Sequence, residues 1–275
     1  MAITASMVKS LREKTGLPLM DCKNALSESD GNEDMAVDLL RKKGAGKIEK
    51  MAGRETSQGR VACYVDVENK RAGMVELLCE TAPVAKTDDF IELANQMARH
   101  AAAAESPTAE SLPNETLIDD PSRKLSDLSA EVFNRLRENI KIGHVGRLTG
   151  NIAYYIHHDN QKGAMVAFSG ECPKELSNGV CMHVTAINPS ATRREQIDSA
   201  LAEKERQAAL ESVKGKPENI IGKIVDGKMN KWFGEIVLLE QAYVLDDKKT
   251  VAEALAQVSP DLTVDGFVRC YVGGQ

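Results

Sequence analysis

Apolar residues recur at helical spacing in the first 45 residues and predict three short helices. Val8 and Leu11 share one face, and Gly16 then interrupts the pattern. A second apolar stripe ends at the turn 30–32, and a third stops at Gly44, which predicts a helix end. Because helices this short are marginal alone, we expect them to pack as a small module, followed by a flexible, Gly-rich connector.

Alternation of apolar and polar residues then replaces the helical period and predicts strands. RVACYVDVE and GMVELLCE flank a turn and predict a hairpin, followed by a helix that Asp88 is expected to cap. NIAYYIHH and GAMVAFS predict a second hairpin, with a helix that begins near Pro173. GFVRCYVGG predicts one further strand. The repeated order of hairpin and helix indicates two related α+β subdomains with antiparallel sheets.

The segments around these two blocks predict a linker and an insertion. The acidic, proline-containing stretch 105–121 predicts a linker before an amphipathic helix over 125–140. The charge-dense stretch 189–230, broken at 215–217, predicts an antiparallel helical hairpin inserted in the second block. The strand pattern is predicted to resume in GEIVLLEQAYVL.

Together these patterns predict an α+β chain with four parts. The parts are a three-helix module with its connector (1–54), a first core subdomain (55–143), a second core subdomain (144–188 and 231–275) and the inserted hairpin (189–230).

The composition argues against several classes of function. The 275 residues carry a formal net charge of −6, and only 4% are aromatic, so nucleic acid is not an expected partner. No apolar run approaches the ~20 residues of a membrane span, and the start MAITASMVKSLREK does not have the pattern of a signal peptide. The six scattered cysteines predict free thiols and a cytoplasmic protein.

No combination of residues predicts a catalytic, metal or cofactor site. The sequence 44–47 resembles part of a phosphate-binding loop, but it lacks the preceding glycine and the Ser or Thr after the lysine. His157 and His158 are expected on opposite faces of a strand, where they cannot share a metal. His183, on an apolar helix face, predicts a structural histidine. The sequence therefore favours a binding protein over an enzyme.

Several motifs resemble, in order along the chain, those of bacterial elongation factor Ts. They are LREKTGLPLMDCKNAL, LLRKKGAGK, ELLCETAPVAKTDDF, ENIKIGHV, CMHVTAINP and GKPENIIGKIVDGKMNKWFGEIVLLEQAYVLDDKKTVAEAL. The resemblance implies an N-terminal UBA-like three-helix module, two related core subdomains and a coiled-coil insertion. It also implies a guanine nucleotide exchange factor that binds elongation factor Tu in its GDP form, displaces magnesium, and promotes GDP release and GTP loading.

The resemblance implies two partner-binding sites on this chain. Leu11, Leu19 and Met20 match module positions that lie against the GTPase, although packing in the module core is the alternative for all three. The magnesium-displacing turn, which reads Thr-Asp-Phe-Val in the family, corresponds here to Thr81, Ala82, Pro83 and Val84. The acid and the aromatic wedge are therefore absent, and a Tu-binding protein with weak or no exchange activity is the alternative function.

The predicted helical hairpin resembles the coiled coil that some members of the family use for dimerisation. Packing of its sparse apolar residues within the hairpin is the alternative, and the sequence does not decide between the two.

Overall fold

The computed structural model describes residues 2–51 and 53–274, and for residues 45–50 it describes the backbone alone. The chain forms two compact units. The first contains Met1–Tyr64, Gly73–Arg147 and Tyr271–Gln275, and the second contains Val65–Ala72 and Leu148–Cys270. In the described ranges, no helix is both long enough and apolar enough to cross a membrane.

The first unit begins with the expected three helices, α1 (Ala5–Thr15), α2 (Leu19–Glu28) and α3 (Glu33–Met51). The hydroxyl of Thr4 accepts a hydrogen bond from the backbone N–H of Met7 at the start of α1, and Gly16 ends this helix with φ 68°. The helices share a buried core, which contains Val8, Leu11, Leu17, Cys22, Ala25, Leu26, Ala36 and Leu40.

The prediction that the third helix stops at Gly44 is wrong, because α3 continues to Met51. Gly44 is buried, and a Cβ built on it would lie 2.0 Å from the side-chain nitrogen of Asn134. The glycine therefore allows close packing of α3 and does not end it. The expected flexible joint at 44–47 is helical backbone.

The core of the first unit continues with β1 (Gln58–Asp66), β2 (Arg71–Cys79), α4 (Asp88–Ala103), α5 (Leu125–Leu136) and β3 (Lys141–Thr149). The strands form a sheet in the order β1-β2-β3. Fully buried side chains of β2 and α4, among them Leu77, Phe90 and Leu93, form the centre of this core.

Two predictions for the first unit require correction. The cap of α4 is Thr87, whose hydroxyl accepts from the N–H of Phe90, so Asp88 lies in the first turn and does not cap the helix. The stretch 105–121 is not a free linker, because it contains a short 3₁₀ helix (Leu112–Asn114) and Leu112 is fully buried in the core. Leu117 packs against the same core, so two apolar residues anchor an otherwise polar segment.

The second unit has β4 (Asn151–Ile156), β5 (Lys162–Phe168), α6 (Lys174–Ile187), α7 (Ser199–Glu211) and α8 (Glu218–Ile236), followed by β6 (Ala242–Tyr243), β7 (Asp246–Thr250), α9 (Val251–Ala256) and β8 (Val264–Tyr271). The strands β4 and β5 are antiparallel, from the pair Asn151 and Phe168 to the pair Ile156 and Gly163. Their sheet has the order β4-β5-β8. Both units contain the predicted hairpin and helix, and in both a third strand, which the repeated pattern did not predict, lies beside the second strand of the hairpin.

The helices α7 and α8 form the expected hairpin, and their apolar residues pack on each other. This internal cluster consists of Ala209, Val213, Val225 and Met229, with Leu210, Ile221, Ile224, Trp232 and Phe233 at its edge. The predicted strand in GEIVLLEQAYVL is largely wrong, because α8 continues to Ile236 and β6 contains only two residues. The spacing of Val225, Met229 and Phe233 extends the helical stripe, and the guanidinium of Arg194 lies 4.3 Å from the ring centre of Phe233.

Candidate protein-docking face

The turn that follows β2 presents three of its four predicted site residues to solvent, Thr81 among them. Ala82 and Pro83 are exposed at its tip, whereas Val84 is half-buried against the core of the first unit. Pro83 has φ −61° and ψ −40° and precedes a short 3₁₀ helix (Val84–Lys86), where a missing backbone donor is harmless. The tip is therefore a small apolar surface with a fixed backbone.

Glu138 fixes the start of this turn. One oxygen of its carboxylate accepts from the backbone N–H of Thr81 at 3.0 Å, and the other accepts from the Thr81 hydroxyl at 2.5 Å. In the opposite direction, Glu80 Oε1 accepts from the backbone N–H of Asn139 at 2.7 Å. Each segment thus supplies a carboxylate to the backbone of the other, and charge-assisted hydrogen bonds of this kind are stronger than neutral ones. We call this pair of contacts the carboxylate clasp.

The base of the turn is a buried thiol. Cys79 is fully buried, and its Sγ donates to the carbonyl of Thr81 at 3.3 Å. Burial, with a smaller contribution from the Glu138 carboxylate, raises the pKa of the Cys79 thiol to about 12. The thiol is therefore neutral at physiological pH and acts as a hydrogen-bond donor, not as a nucleophile.

Arg137 connects the clasp to the three-helix module. It ends α5 with φ 61°, an uncommon conformation for a residue other than glycine, and its guanidinium pairs with the carboxylate of Asp21 on α2. Met20 precedes Asp21, and Glu138 follows Arg137. Both predicted partner-binding regions therefore flank one ion pair, and we call the exposed residues Leu19, Met20, Ala82 and Pro83 together the docking face.

The three predicted module residues have different environments. Leu19 is 50% exposed and Met20 is 59% exposed, at the start of α2. Leu11 is completely buried in the core of the module. The structure thus places Leu19 and Met20 at the surface. Leu11 has the alternative role that the sequence allowed for all three residues, which is packing in the module core.

Sequence reasoning missed Asp21, Arg137, Glu138 and Asn139 as parts of this face. The contact between Thr81 and Glu138 joins residues 57 positions apart, and no local period encodes such a pairing. One signal was present, because the motif ENIKIGHV begins with Glu138 and Asn139. The resemblance of this motif to the family therefore pointed to Glu138 and Asn139, but it did not indicate what they do.

The histidines that the sequence analysis considered as metal ligands make other contacts in the structure. His183 is buried, its Nε2 hydrogen-bonds Gln241 Oε1 at 2.9 Å, and its Nδ1 accepts from the N–H of Val244 at 3.1 Å. It is structural, as predicted. The opposite-face prediction for His157 and His158 is wrong, because β4 ends at Ile156 and the two ring centres lie 4.2 Å apart in the following turn.

The described part of the chain contains neither a cluster of metal-ligating side chains nor a disulfide. No group of three or more His, Cys, Asp or Glu side chains there could hold a metal ion. None of the six cysteines forms a disulfide in that part, and burial raises the pKa of Cys63 to about 12 and that of Cys172 to about 11. Both thiols are therefore weak nucleophiles near neutral pH.

Comparison with known proteins gives a consistent result over the whole chain. The family model described as Elongation factor TS matches residues 80–274. The protein named Elongation factor Ts from Hydrogenovibrio crunogenus is 40% identical over 277 residues, which cover 99% of this chain and 92% of that protein. The protein of the same name from Nitratidesulfovibrio vulgaris is 41% identical over 295 residues, which cover 99% of this chain and 96% of that protein. The one from Clostridium botulinum is 36% identical over 282 residues, which cover 97% of this chain and 91% of that protein.

Proposed function

The chain belongs to the elongation factor Ts family, and from that membership we propose that it is the guanine nucleotide exchange factor of elongation factor Tu. Membership makes it an elongation factor of protein biosynthesis. In the proposed reaction it binds Tu in the GDP form, displaces magnesium from the GTPase and promotes the release of GDP, after which GTP binds. A translation factor of this kind acts in the cytoplasm.

The physical basis of exchange is thermodynamic linkage. A partner that binds the nucleotide-free GTPase more tightly than the GDP form must weaken GDP binding by the same factor. No covalent bond forms or breaks in the proposed reaction, so the chain is not an enzyme in the chemical sense. It needs a docking surface and no cofactor.

The docking face is the observation that carries this proposal. Leu19 and Met20 are large, apolar and exposed, and Ala82 with Pro83 forms a second exposed apolar patch. The two patches are linked through the ion pair of Asp21 with Arg137 and the contact of Glu138 with Thr81. Because the backbone at both patches is already fixed, binding orders side chains and not the backbone, which favours a stable complex. The resemblance assigns both regions to contacts with the GTPase.

The residues Ala82 and Pro83 are also where this chain departs from the family. A buried aromatic at an interface is typically worth ~2 kcal/mol or more, and here that side chain is absent. The fixed φ of Pro83 and the clasp keep the turn in place, so we propose that it acts as a shallower wedge. Exchange then depends more strongly on Leu19 and Met20.

Stopped-flow release of a fluorescent GDP from the cognate Tu tests the function. The chain should accelerate release well above the spontaneous rate. A chain that binds Tu, as measured by calorimetry, but leaves the release rate unchanged would establish the alternative of a Tu-binding protein without exchange activity.

The double variant Ala82→Asp with Pro83→Phe tests the role of the turn. Restoring the acid and the wedge should accelerate GDP release about 30-fold, which corresponds to ~2 kcal/mol of extra interaction with the exchange intermediate. Lys86→Gln, an exposed change two residues beyond the turn, is the matched control and should leave the rate unchanged. An equal rate for the double variant and the parent chain would contradict the wedge argument.

A further inference from the structure

Three consecutive residues after α5 each contact a different part of the first unit, and we propose that the middle one, Glu138, is a positioning residue for nucleotide exchange. The inference rests on the proposed function and adds to it the residue that holds the turn 81–84 in place for contact with the GTPase. The three contacts are those of Arg137 with Asp21, of Glu138 with Thr81, and of Asn139 with Arg54.

The turn begins at Thr81, and every polar group of this residue has a partner. Its backbone N–H and its hydroxyl both donate to the carboxylate of Glu138, at 3.0 and 2.5 Å. Its carbonyl accepts from Sγ of Cys79 at 3.3 Å and from the N–H of Ala85 at 3.5 Å. Two of these four contacts require Glu138, and without them Thr81 would be held at its carbonyl alone. The carboxylate therefore sets the direction in which the turn leaves β2.

The side chains at the tip of the turn cannot compensate for a displaced backbone. Alanine and proline have no rotamer freedom, so the backbone alone places the methyl group of Ala82 and the ring of Pro83. A phenylalanine, as in the family, can reach its partner by rotation about χ1. The shallower wedge of this chain therefore depends more on the position of its backbone than an aromatic wedge does.

The two neighbours of Glu138 hold its own backbone. Arg137 has φ 61°, and its guanidinium pairs with Asp21 of α2. Asn139 is buried, and its side-chain nitrogen donates to the carbonyl of Arg54 at 2.9 Å. Because both flanking residues are anchored, the carboxylate of Glu138 is a fixed reference point for the turn.

A positioning role predicts an effect on the rate of GDP release and little effect on the affinity for Tu. The exposed Leu19 and Met20 of the module can maintain binding whether or not the turn is fixed. An interaction made only as the nucleotide leaves changes the maximal rate, whereas one made equally before and after changes the concentration at half-maximal rate. Loss of Glu138 should therefore lower the maximal rate.

Stopped-flow release of a fluorescent GDP from the cognate Tu, at increasing concentrations of the full chain, tests this role. Glu138→Ala should lower the maximal release rate about tenfold, the effect of one lost charge-assisted hydrogen bond, and change the half-maximal concentration by less than about twofold. Glu110→Ala, at an exposed glutamate of the same unit, is the matched control and should leave both quantities unchanged. A merely structural role would lower the concentration of folded chain, which raises the half-maximal concentration at an unchanged maximal rate. That result would overturn the proposal.

A double-mutant cycle tests whether Glu138 acts through Thr81. Thr81→Val removes the hydroxyl and should lower the maximal rate in the parent chain, but it should have a smaller effect when residue 138 is already alanine. Equal effects in the two backgrounds would contradict a shared contact.

Failure of this role is distinguishable from failure of the proposed function. A parent chain that leaves GDP release at its spontaneous rate would overturn the exchange function and this role with it. A parent chain that accelerates release, with an equally fast Glu138→Ala variant, would overturn the role of Glu138 alone. Amide hydrogen exchange without Tu measures the contact itself: the N–H of Thr81 should exchange faster in Glu138→Ala, and equal exchange would contradict the proposal.

Discussion

At the scale of single residues, exposure separates side chains that the resemblance treated alike. Leu11, Leu19 and Met20 are all apolar and lie within ten positions, yet Leu11 is fully buried and the other two are at least half exposed. Helical spacing predicts which residues can share a face but does not say which face a neighbouring helix covers. That information is in the packing of α2 and α3 on α1.

Substitution by alanine should separate stability from binding at these positions. Leu11→Ala should lower the free energy of unfolding by about 2–5 kcal/mol, because it leaves a cavity in the module core. Leu19→Ala with Met20→Ala should change it by less than about 1 kcal/mol and weaken binding to Tu at least tenfold. Urea unfolding and calorimetry measure the two quantities. Loss of stability in the double variant without loss of affinity would remove Leu19 and Met20 from the docking face.

His183 should make the stability of the second unit depend on pH. Burial lowers the pKa of its imidazole, and the hydrogen bond to Gln241 only partly opposes this effect. Because the folded pKa lies below the unfolded value of about 6.5, the unfolded chain binds the proton more readily. Stability should therefore be full above pH 6.5 and fall at lower pH by up to about 1.4 kcal/mol per pH unit, until the folded pKa is reached.

Urea unfolding followed by fluorescence of Trp232, the one tryptophan of the chain, measures this dependence between pH 5 and 8. His183→Gln should flatten the profile, while His158→Gln, an exposed histidine, should leave it unchanged. A profile that is flat in the parent chain would contradict the buried neutral histidine.

At the scale of helices and strands, a glycine in the sequence has several structural meanings. Gly44 predicted a helix end but lies inside α3, where its missing side chain accommodates Asn134. In β2, Gly73 allows the strand to approach the backbone of α4, since a Cβ there would lie 2.3 Å from the nitrogen of Ala102. Gly222 in α8 has nothing within 4 Å. A glycine marks close packing, a turn or an open site, and only the neighbouring elements decide which.

Two glycine-to-alanine variants should therefore have opposite effects. Gly73→Ala should destabilise the chain by at least about 2 kcal/mol, because the new methyl group meets backbone that has no room to move. Gly222→Ala should stabilise it by about 1 kcal/mol through helix propensity alone. Urea unfolding followed by circular dichroism compares the pair directly, and effects of the same sign would contradict the packing argument.

At the scale of the whole molecule, the spacing of apolar residues predicted the order of the helices and strands better than it predicted where each of them begins and ends. The hairpins, the module and the insertion followed from local patterns, because each is formed by residues close in the chain. The longer α8, the packed segment around Leu112 and the carboxylate clasp depend on contacts between distant positions. The candidate site was predicted from the resemblance, and the contacts that fix its turn became visible only in the structure.

The packing of the helical hairpin favours a monomer over a dimer formed through it. The cluster of Ala209, Val213, Val225 and Met229 lies within the hairpin, and the exposed large residues Leu201 and Ile220 lie on different helices. A stable dimer needs a buried area of at least about 1,200 Å² with an apolar centre. Sedimentation equilibrium at micromolar concentration should therefore give a mass near 29.9 kDa. A mass of twice that value, lost on Leu201→Glu, would establish the dimer.

The carboxylate clasp also has a consequence for the synthesis of the protein itself. Thr81 leaves the peptidyl-transferase centre 57 residues before Glu138, which at about 10 residues per second is a delay of about 6 s. During that interval the turn has neither Glu138 to hold its backbone nor Asn139 to hold Glu80. A nascent chain that has exposed only its module and first hairpin therefore carries an unfixed turn, and the docking face forms only after the segment beyond α5 has been made. Competence to bind the partner is thus delayed until about half of the chain has been translated.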